Sequence, residues 1–310
     1  WGPAAAHPAL AERAADYKMA VHVNDARSSY TFCMCPGGTV VAAASEPEGV
    51  VTNGMSEYAR DGVNANAALL VNVDPNDLPG ADPLEGIRLQ RSIEQAAFRV
   101  ALDAGGEPYS APAQTVGSFL AAYQERSQDE PNSASDQQDA VEPTYPRGVV
   151  PCDLRQVLPD FICDTLAEAL PLFDRRLHGF ADSHAIMTAP ESRSSSPVRI
   201  VRDGNLQAVL AGSQSSDMHF GIYPCGEGAG YAGGIVSAAA DGMRVADALT
   251  EELAIAQAAR VLAEGKAVVF PTDTVVGLGV AIEYAPDASE IYRIKQRSQT
   301  TPIAWLVSGE

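Results

Sequence analysis

Residues 223–234 read Tyr223-Pro224-Cys225-Gly226-Glu227-Gly228-Ala229-Gly230-Tyr231-Ala232-Gly233-Gly234, and their setting governs how the rest of the chain is parsed. Met218 to Tyr223, before them, predicts a short strand. Ile235 to Leu249, after them, predicts a helix, with Ile235, Ala239, Met243, Ala246 and Leu249 close to a 3.6-residue period. Five glycines therefore lie between a strand end and a helix start. A helix start presents unpaired backbone N–H groups and a partial positive charge. Glycine lets a phosphate or an electron-rich ring edge approach them closely. Gly228, Gly230 and Gly233 also satisfy G-x-G-x-x-G. The dinucleotide fingerprint, however, opens a βαβ unit and is followed by a strand ending in an acidic residue. Here the helix runs on to Asp247 and then Glu251-Glu252, with no such strand. Two readings stand: a ligand-contacting bend, or a glycine-rich turn that packs a helix on a sheet.

Composition narrows the classes. The 310 residues suffice for two domains or one large one, and 46% hydrophobic content supports a packed core. A net charge of −19 argues against a protein that coats nucleic acid or lies on an anionic membrane, while leaving room for a local basic pocket. Five cysteines in a chain this long make no disulfide framework and fit a reducing compartment, so a cytoplasmic location is expected. No apolar run is long enough to span a bilayer, and no signal peptide is evident. Trp1-Gly2-Pro3 lacks a Met, and Leu306-Val307-Ser308-Gly309-Glu310 stops after a strand-like run. Both ends read as cut from something longer.

Outward from the bend, periodicity predicts most elements. His7 to Arg13 is helix-like and Lys18 to Asn24 strand-like. Tyr30 to Ala42 predicts two strands about a Pro36-Gly37-Gly38 turn. Cys33 and Cys35, at i and i+2, would share one strand face. They are a redox pair, metal ligands or buried structural thiols; a closed zinc site needs four ligands and no second cluster is nearby, so no metal is expected. Val50 to Ser56 predicts a strand entering an Asn53-Gly54 turn, and Asn64 to Val73 another strand. Asn53, Arg60, Asn64 and Asn66 either line a pocket or satisfy turn backbone. Pro83 to Ala101 predicts an amphipathic helix, Tyr109 to Val116 an extended segment, and Val116 to Tyr123 a short helix. Gln124 to Pro143 is acidic and aperiodic, a flexible surface insertion. Pro151 to Gly179 predicts a helix with Asp153 as N-cap, and His184 to Thr188 a strand. Glu191 to Arg202 predicts a hydroxyl- and Arg-rich loop followed by a strand, where Arg193 suits an anion, a carboxylate or a solvated edge. His184 reads as structural.

Taken together, Phe32-Cys33-Met34-Cys35-Pro36-Gly37-Gly38, residues 51–56, Ala111-Pro112-Ala113-Gln114, residues 191–200 and residues 224–235 resemble, in this order, the C-terminal part of a family of bacterial FAD-dependent dehydrogenases. The resemblance covers about residues 1–250. It implies a two-part flavoprotein whose FAD-binding sheet is interrupted by a second domain and resumed at the C-terminus. Gly226, Glu227, Gly228, Ala229, Gly230, Tyr231, Gly233 and Gly234 would then face the flavin and pyrophosphate. The strand–G-x-G-x-x-G–helix that holds the ADP half would precede Trp1. Cys33, Cys35 and Arg193 are the catalytic or substrate-anchoring candidates.

Residues 251–310 change character. Glu251 to Glu264 predicts a helix ended by Gly265 as C′, Ala267 to Phe270 a buried strand, Ala288 to Lys295 a helix, and Pro302 to Val307 a strand. Two Thr hydroxyls at a strand end, plus Lys295 and Arg297, suit a carboxylate or polyphosphate, or else form a capped turn and a surface pair. Helix–Gly–strand–Pro271-Thr272-Asp273-Thr274-Val275-Val276-Gly277-Leu278, then Lys295-Gln296-Arg297, resembles the start of the YrdC-like threonylcarbamoyl-AMP synthases. The family's Tyr before Gly-Leu is Val276 here. The resemblance implies that Thr272 and Thr274 help hold threonine, that Lys295 and Arg297 meet its carboxylate and the triphosphate of ATP with Mg, and that the complete domain serves tRNA modification and meets RNA.

The expected architecture is α/β. Residues 1–118 form a substrate domain (α+β), 119–146 an acidic insertion, 147–249 the return to an FAD/NAD(P)-binding-type domain, and 250–310 the start of a YrdC-like domain. Its expected function is that of an FAD-dependent oxidoreductase acting on small molecules, fused to a threonylcarbamoyl-AMP synthase-like domain and inactive as this segment alone. The rivals are a chain whose main work is the YrdC-like one, or a non-catalytic truncated module.

Overall fold

The computed structural model describes residues 18–127, 141–209, 221–271, 276–300 and 302–303. The predicted helix over 7–13, most of the acidic stretch, residues 218–220 and 304–307 lie outside them. The chain divides into two compact units, 1–199 and 200–310. No helix among the described residues is long and apolar enough to cross a membrane.

In the first unit, β1 (Ala20–His22), β2 (Ser28–Cys35) and β5 (Asn66–Val71) form an antiparallel sheet in the order β1-β2-β5. β3 (Gly38–Ala42) and β4 (Thr52–Ser56) pair as an antiparallel hairpin. The predicted strands about Pro36-Gly37-Gly38 are therefore present. Asn53-Gly54, predicted as a turn, instead lies inside β4. A Cβ on Gly54 would stand 2.2 Å from Asn66 Oδ1, so close approach of a neighbouring side chain, rather than a reversal, requires the glycine. β6 (Ala111–Thr115) runs parallel to β7 (Val149–Pro151) and antiparallel to β8 (Ile186–Thr188).

Three helices cover these strands: α1 (Glu85–Asp103), α2 (Val116–Ser127) and α3 (Asp160–Asp174). The helix predicted from Pro151 begins later. Asp153 caps only a 3₁₀ turn, Leu154–Gln156, accepting from Arg155 N–H at 3.0 Å, and α3 starts after Pro159. Proline favours an extended residue before it and tolerates the first helical turn, which explains the restart. Val116, Phe119, Leu154, Cys163, Leu166 and Leu170 pack one core under α2 and α3, and Val50, Ile93, Ala97, Ala111 and Tyr145 pack another under α1.

The second unit is built on one long helix, α4 (Ile235–Ala263, 29 residues). The two helices predicted over 235–249 and 251–264 are one. Thr250, which resembles an N-cap, turns its hydroxyl back to Ala246 O at 2.8 Å. Gly265, at φ +72°, ends the helix as predicted. β9 (Val268–Pro271) and β10 (Val276–Gly279) form an antiparallel hairpin, and α5 (Ser289–Lys295) follows. The strand predicted at the end of the 191–202 segment reduces to a single bridge, Arg202 with Ala208, and residues 221–223 are not a strand.

Candidate functional sites

The glycine bend of the second unit is held from behind by a buried ion pair. The Arg202 guanidinium lies against the Asp241 carboxylate of α4, with both N–H···O contacts at 3.0 Å, and the two side chains are 6% and 8% exposed. Arg202 also donates to Pro224 O at 3.0 Å and stacks its guanidinium 3.4 Å from the centre of the Tyr231 ring. Asp241 accepts the Gly226 N–H at 3.0 Å. The hydrogen bond to Arg202, before that to Gly226, holds the Asp241 carboxyl below the usual range, so it stays a carboxylate. Three turns further along α4, Glu252 accepts from Tyr223 Oη and, at 2.8 Å, from Gln207 Nε2. Polar side chains thus fasten residues 202–207 and 223–231 to the helix.

In front, the bend is open. Gly226 and Gly230 take left-handed φ values of +72° and +81°, and the Tyr231 N–H closes the turn on Gly226 O at 3.0 Å. Ala229 is buried, while Glu227, Gly228 and Gly233 are exposed. Nothing lies within 4 Å of where a Cβ would stand on Gly228 or Gly233. No side chain caps the start of α4, and Ile235 and Val236 are 90% and 82% exposed. The result is a bare helix N-terminus behind accessible main chain, an arrangement suited to an anion or a polar ring edge.

In the first unit Arg193 is committed to protein partners. Its Nε and Nη2 donate to the two carboxylate oxygens of Glu94 at 2.8 and 2.7 Å, and Nη1 donates to Ser45 Oγ at 2.7 Å. Glu94 is 2% exposed and also accepts from Ser192 Oγ at 2.6 Å. This fork fastens the 191–197 loop to α1.

Cys33 and Cys35 do not share a regular strand face. The β2–β5 register shifts between Phe32 and Cys35, and Cys33 takes φ +45°. Cys33 is exposed and Cys35 half-buried. Burial, and then the neighbouring Glu191, push the Cys35 thiol up, against a hydrogen bond with Ser56. Burial pushes the Glu191 carboxyl up to about 7, and its Oε1 is buried without a hydrogen-bond partner, as is Asn66 Nδ2. Glu94, Glu191, Arg202, Asp241 and Glu252 were not singled out as site residues by the sequence. The composition of the 191–202 segment was the sole pointer, since the partners lie tens of residues away.

Lys295 and Arg297 are exposed at the end of α5 and just past it, with Gln296 between them in the left-handed region at φ +51°. Thr272 and Thr274 lie outside the described residues.

Comparison with known proteins returned two family matches. Residues 1–194 match the model of the FAD-dependent protein, C-terminal domain-like family, and residues 260–309 match the Sua5/YciO/YrdC model described as telomere recombination. An uncharacterized protein of Clostridium beijerinckii is 42% identical over 247 residues, which cover 79% of this chain and 42% of that protein.

Proposed function

Since the chain belongs to the FAD-dependent protein, C-terminal domain-like family, with a Sua5/YrdC match behind it, we propose that it is the substrate-side and returning part of an FAD-dependent oxidoreductase fused to the opening of a threonylcarbamoyl-AMP synthase-like domain. The observation that carries the flavin reading is the exposed glycine bend before the uncapped α4. Main chain from Gly228 to Gly234 would lie against the dinucleotide. The helix end would offset pyrophosphate charge, which matters in a chain of net charge −19. Arg202 and Asp241 keep the bend in shape. When bound, the flavin supplies two-electron hydride chemistry, and the protein binds and orients the reactants. Residues 1–118 would bear the substrate side, 119–146 the acidic insertion and 147–249 the return to an FAD/NAD(P)-binding-type domain.

In residues 250–310, Lys295 and Arg297 present two cations in open solvent, which supports recognition of a carboxylate and the triphosphate of ATP with Mg. Thr272 and Thr274 would hold threonine, and the complete domain would meet RNA. A cytoplasmic setting fits both activities. Two measurements separate the halves. The protein purified in its full natural context should be yellow, with flavin released on denaturation; a colourless product overturns the flavin reading. It should also release pyrophosphate from ATP only when threonine and bicarbonate are present, at a rate that Lys295→Ala lowers at least tenfold. An unchanged rate overturns the assignment of that lysine.

A further inference from the structure

The first unit holds a thiol pair whose surroundings differ from those of its core cysteine, Cys163. Cys163 is fully buried and pushed up to about 12, the reach of an inert core thiol. Cys33, by contrast, is exposed at the irregularity of β2, and Cys35 Sγ donates to the Cys33 carbonyl oxygen at 3.1 Å. The second sulfur is therefore folded back over the residue that bears the first. In a straight strand two residues span about 6.6 Å. That is the upper edge of the Cα separation a disulfide tolerates, about 4.4–6.8 Å. The irregularity takes Cys33 and Cys35 out of straight-strand spacing.

The backbone after the pair is fixed. Gly37, at φ +56°, would carry a Cβ 2.0 Å from Arg60 O, and a Cβ on Gly38 would stand 2.7 Å from Cys35 Cβ. Beside Cys35 stand the Ser56 hydroxyl and, across the β2–β5 pairing, Asn66; the charge of Glu191 acts on the thiol from a loop tied to β4 through the Thr52 N–H donated to Pro190 O at 2.8 Å. Glu191 retains an unfilled carboxylate oxygen, Oε1. An exposed thiol that can attack and a screened thiol two residues on that can resolve the adduct are the parts that intramolecular disulfide closure needs.

We propose that Cys33 and Cys35 form a dithiol–disulfide couple that exchanges with small disulfides. The Cys33 thiol loses its proton to solvent and attacks a disulfide RS–SR. This forms Cys33–S–SR and expels RS⁻, which picks up a solvent proton. The Cys35 thiol then loses its proton to solvent and attacks the Cys33 sulfur. The Cys33–S–S–Cys35 bond forms, the second RS⁻ leaves, and it is protonated in turn. Two electrons pass from the two cysteines to RS–SR. The proposal does not depend on the flavin reading.

The test uses the 310-residue chain with excess glutathione disulfide, quenched by alkylation. Trypsin releases residues 28–60 as one peptide that holds these two cysteines and no other. The unaltered protein should accumulate this peptide with an internal disulfide and no alkyl group. Cys35→Ser should halt at a glutathione adduct on Cys33, and Cys33→Ser should form its adduct on Cys35 at least tenfold more slowly. A persistent Cys33 adduct in the unaltered protein, or a Cys33 no more reactive than the exposed Cys225, overturns the couple.

Discussion

Two glycine-rich turns, Pro36-Gly37-Gly38 and Gly226 to Gly234, look alike in sequence and serve opposite ends. At the first, backbone fills the space that side chains would occupy: Arg60 O stands 2.0 Å from a Cβ on Gly37, and Met55 O 2.6 Å from one on Gly38. At the second, Gly228 and Gly233 face nothing within 4 Å. Glycine at the closed turn allows two segments to touch, and glycine at the open bend keeps main chain accessible. Composition does not distinguish these uses; only the neighbours do.

Substitution should separate them sharply. Gly37→Ala combines a left-handed φ with a backbone collision and should cost about 4 kcal/mol or more, seen as a large drop in the urea midpoint of the first unit. A mild effect would mean that the closed turn can open. Next in size is the clamp behind the open bend. Asp241→Ala leaves Arg202 buried without its carboxylate and should cost about 3 kcal/mol, measured in the same way on the second unit.

The pH dependence should have opposite sign on the two sides. Glu191 is raised in the folded state, so its contribution is complete below its ordinary value and lost as pH rises through about 7. Glu191→Gln should therefore stabilise the first unit by about 2–3 kcal/mol at pH 8 and by little at pH 4, in paired denaturation curves. Cys35 is the titrating neighbour that responds to it. Asp241 is depressed, so its contribution is present above its ordinary value and lost as pH falls below that range. The smallest stability effect belongs to the open bend itself. Gly228→Ala and Gly233→Ala should shift unfolding by no more than about 0.5–1 kcal/mol, yet lower flavin retention at least tenfold. A large stability loss there would erase the contrast between the turns.

Local patterns made much of this legible. Alternation gave the strands around Pro36, the apolar period gave α1, and Gly265 marked the end of α4. The errors arose where a local signal was outvoted from afar. Asn53-Gly54 carries turn chemistry, but the side chain of Asn66 on the adjoining strand dictates that glycine. Thr250 followed by Glu251-Glu252 imitates a helix start, but the hydroxyl bonds backwards and the helix continues. The site was harder still. Arg193 suited an anion, a carboxylate or a solvated edge, and the carboxylate that takes it, Glu94, is 99 positions away; Arg202, on a predicted strand, finds its partner Asp241 39 positions away. Ion pairs between distant segments leave no periodic trace.

The unbroken course of α4 has a mechanical consequence. The open bend adjoins one end of the helix and the β9–β10 hairpin follows the other, about 43 Å apart at ~1.5 Å per residue over its 29 positions. With no hinge between them, the bearing of one end relative to the other is set by residue count. Inserting a single amino acid in the shaft would swing the hairpin through about 100°. Evolution can vary the chemistry at either end of such an axle freely, but its length only in steps that restore the phase.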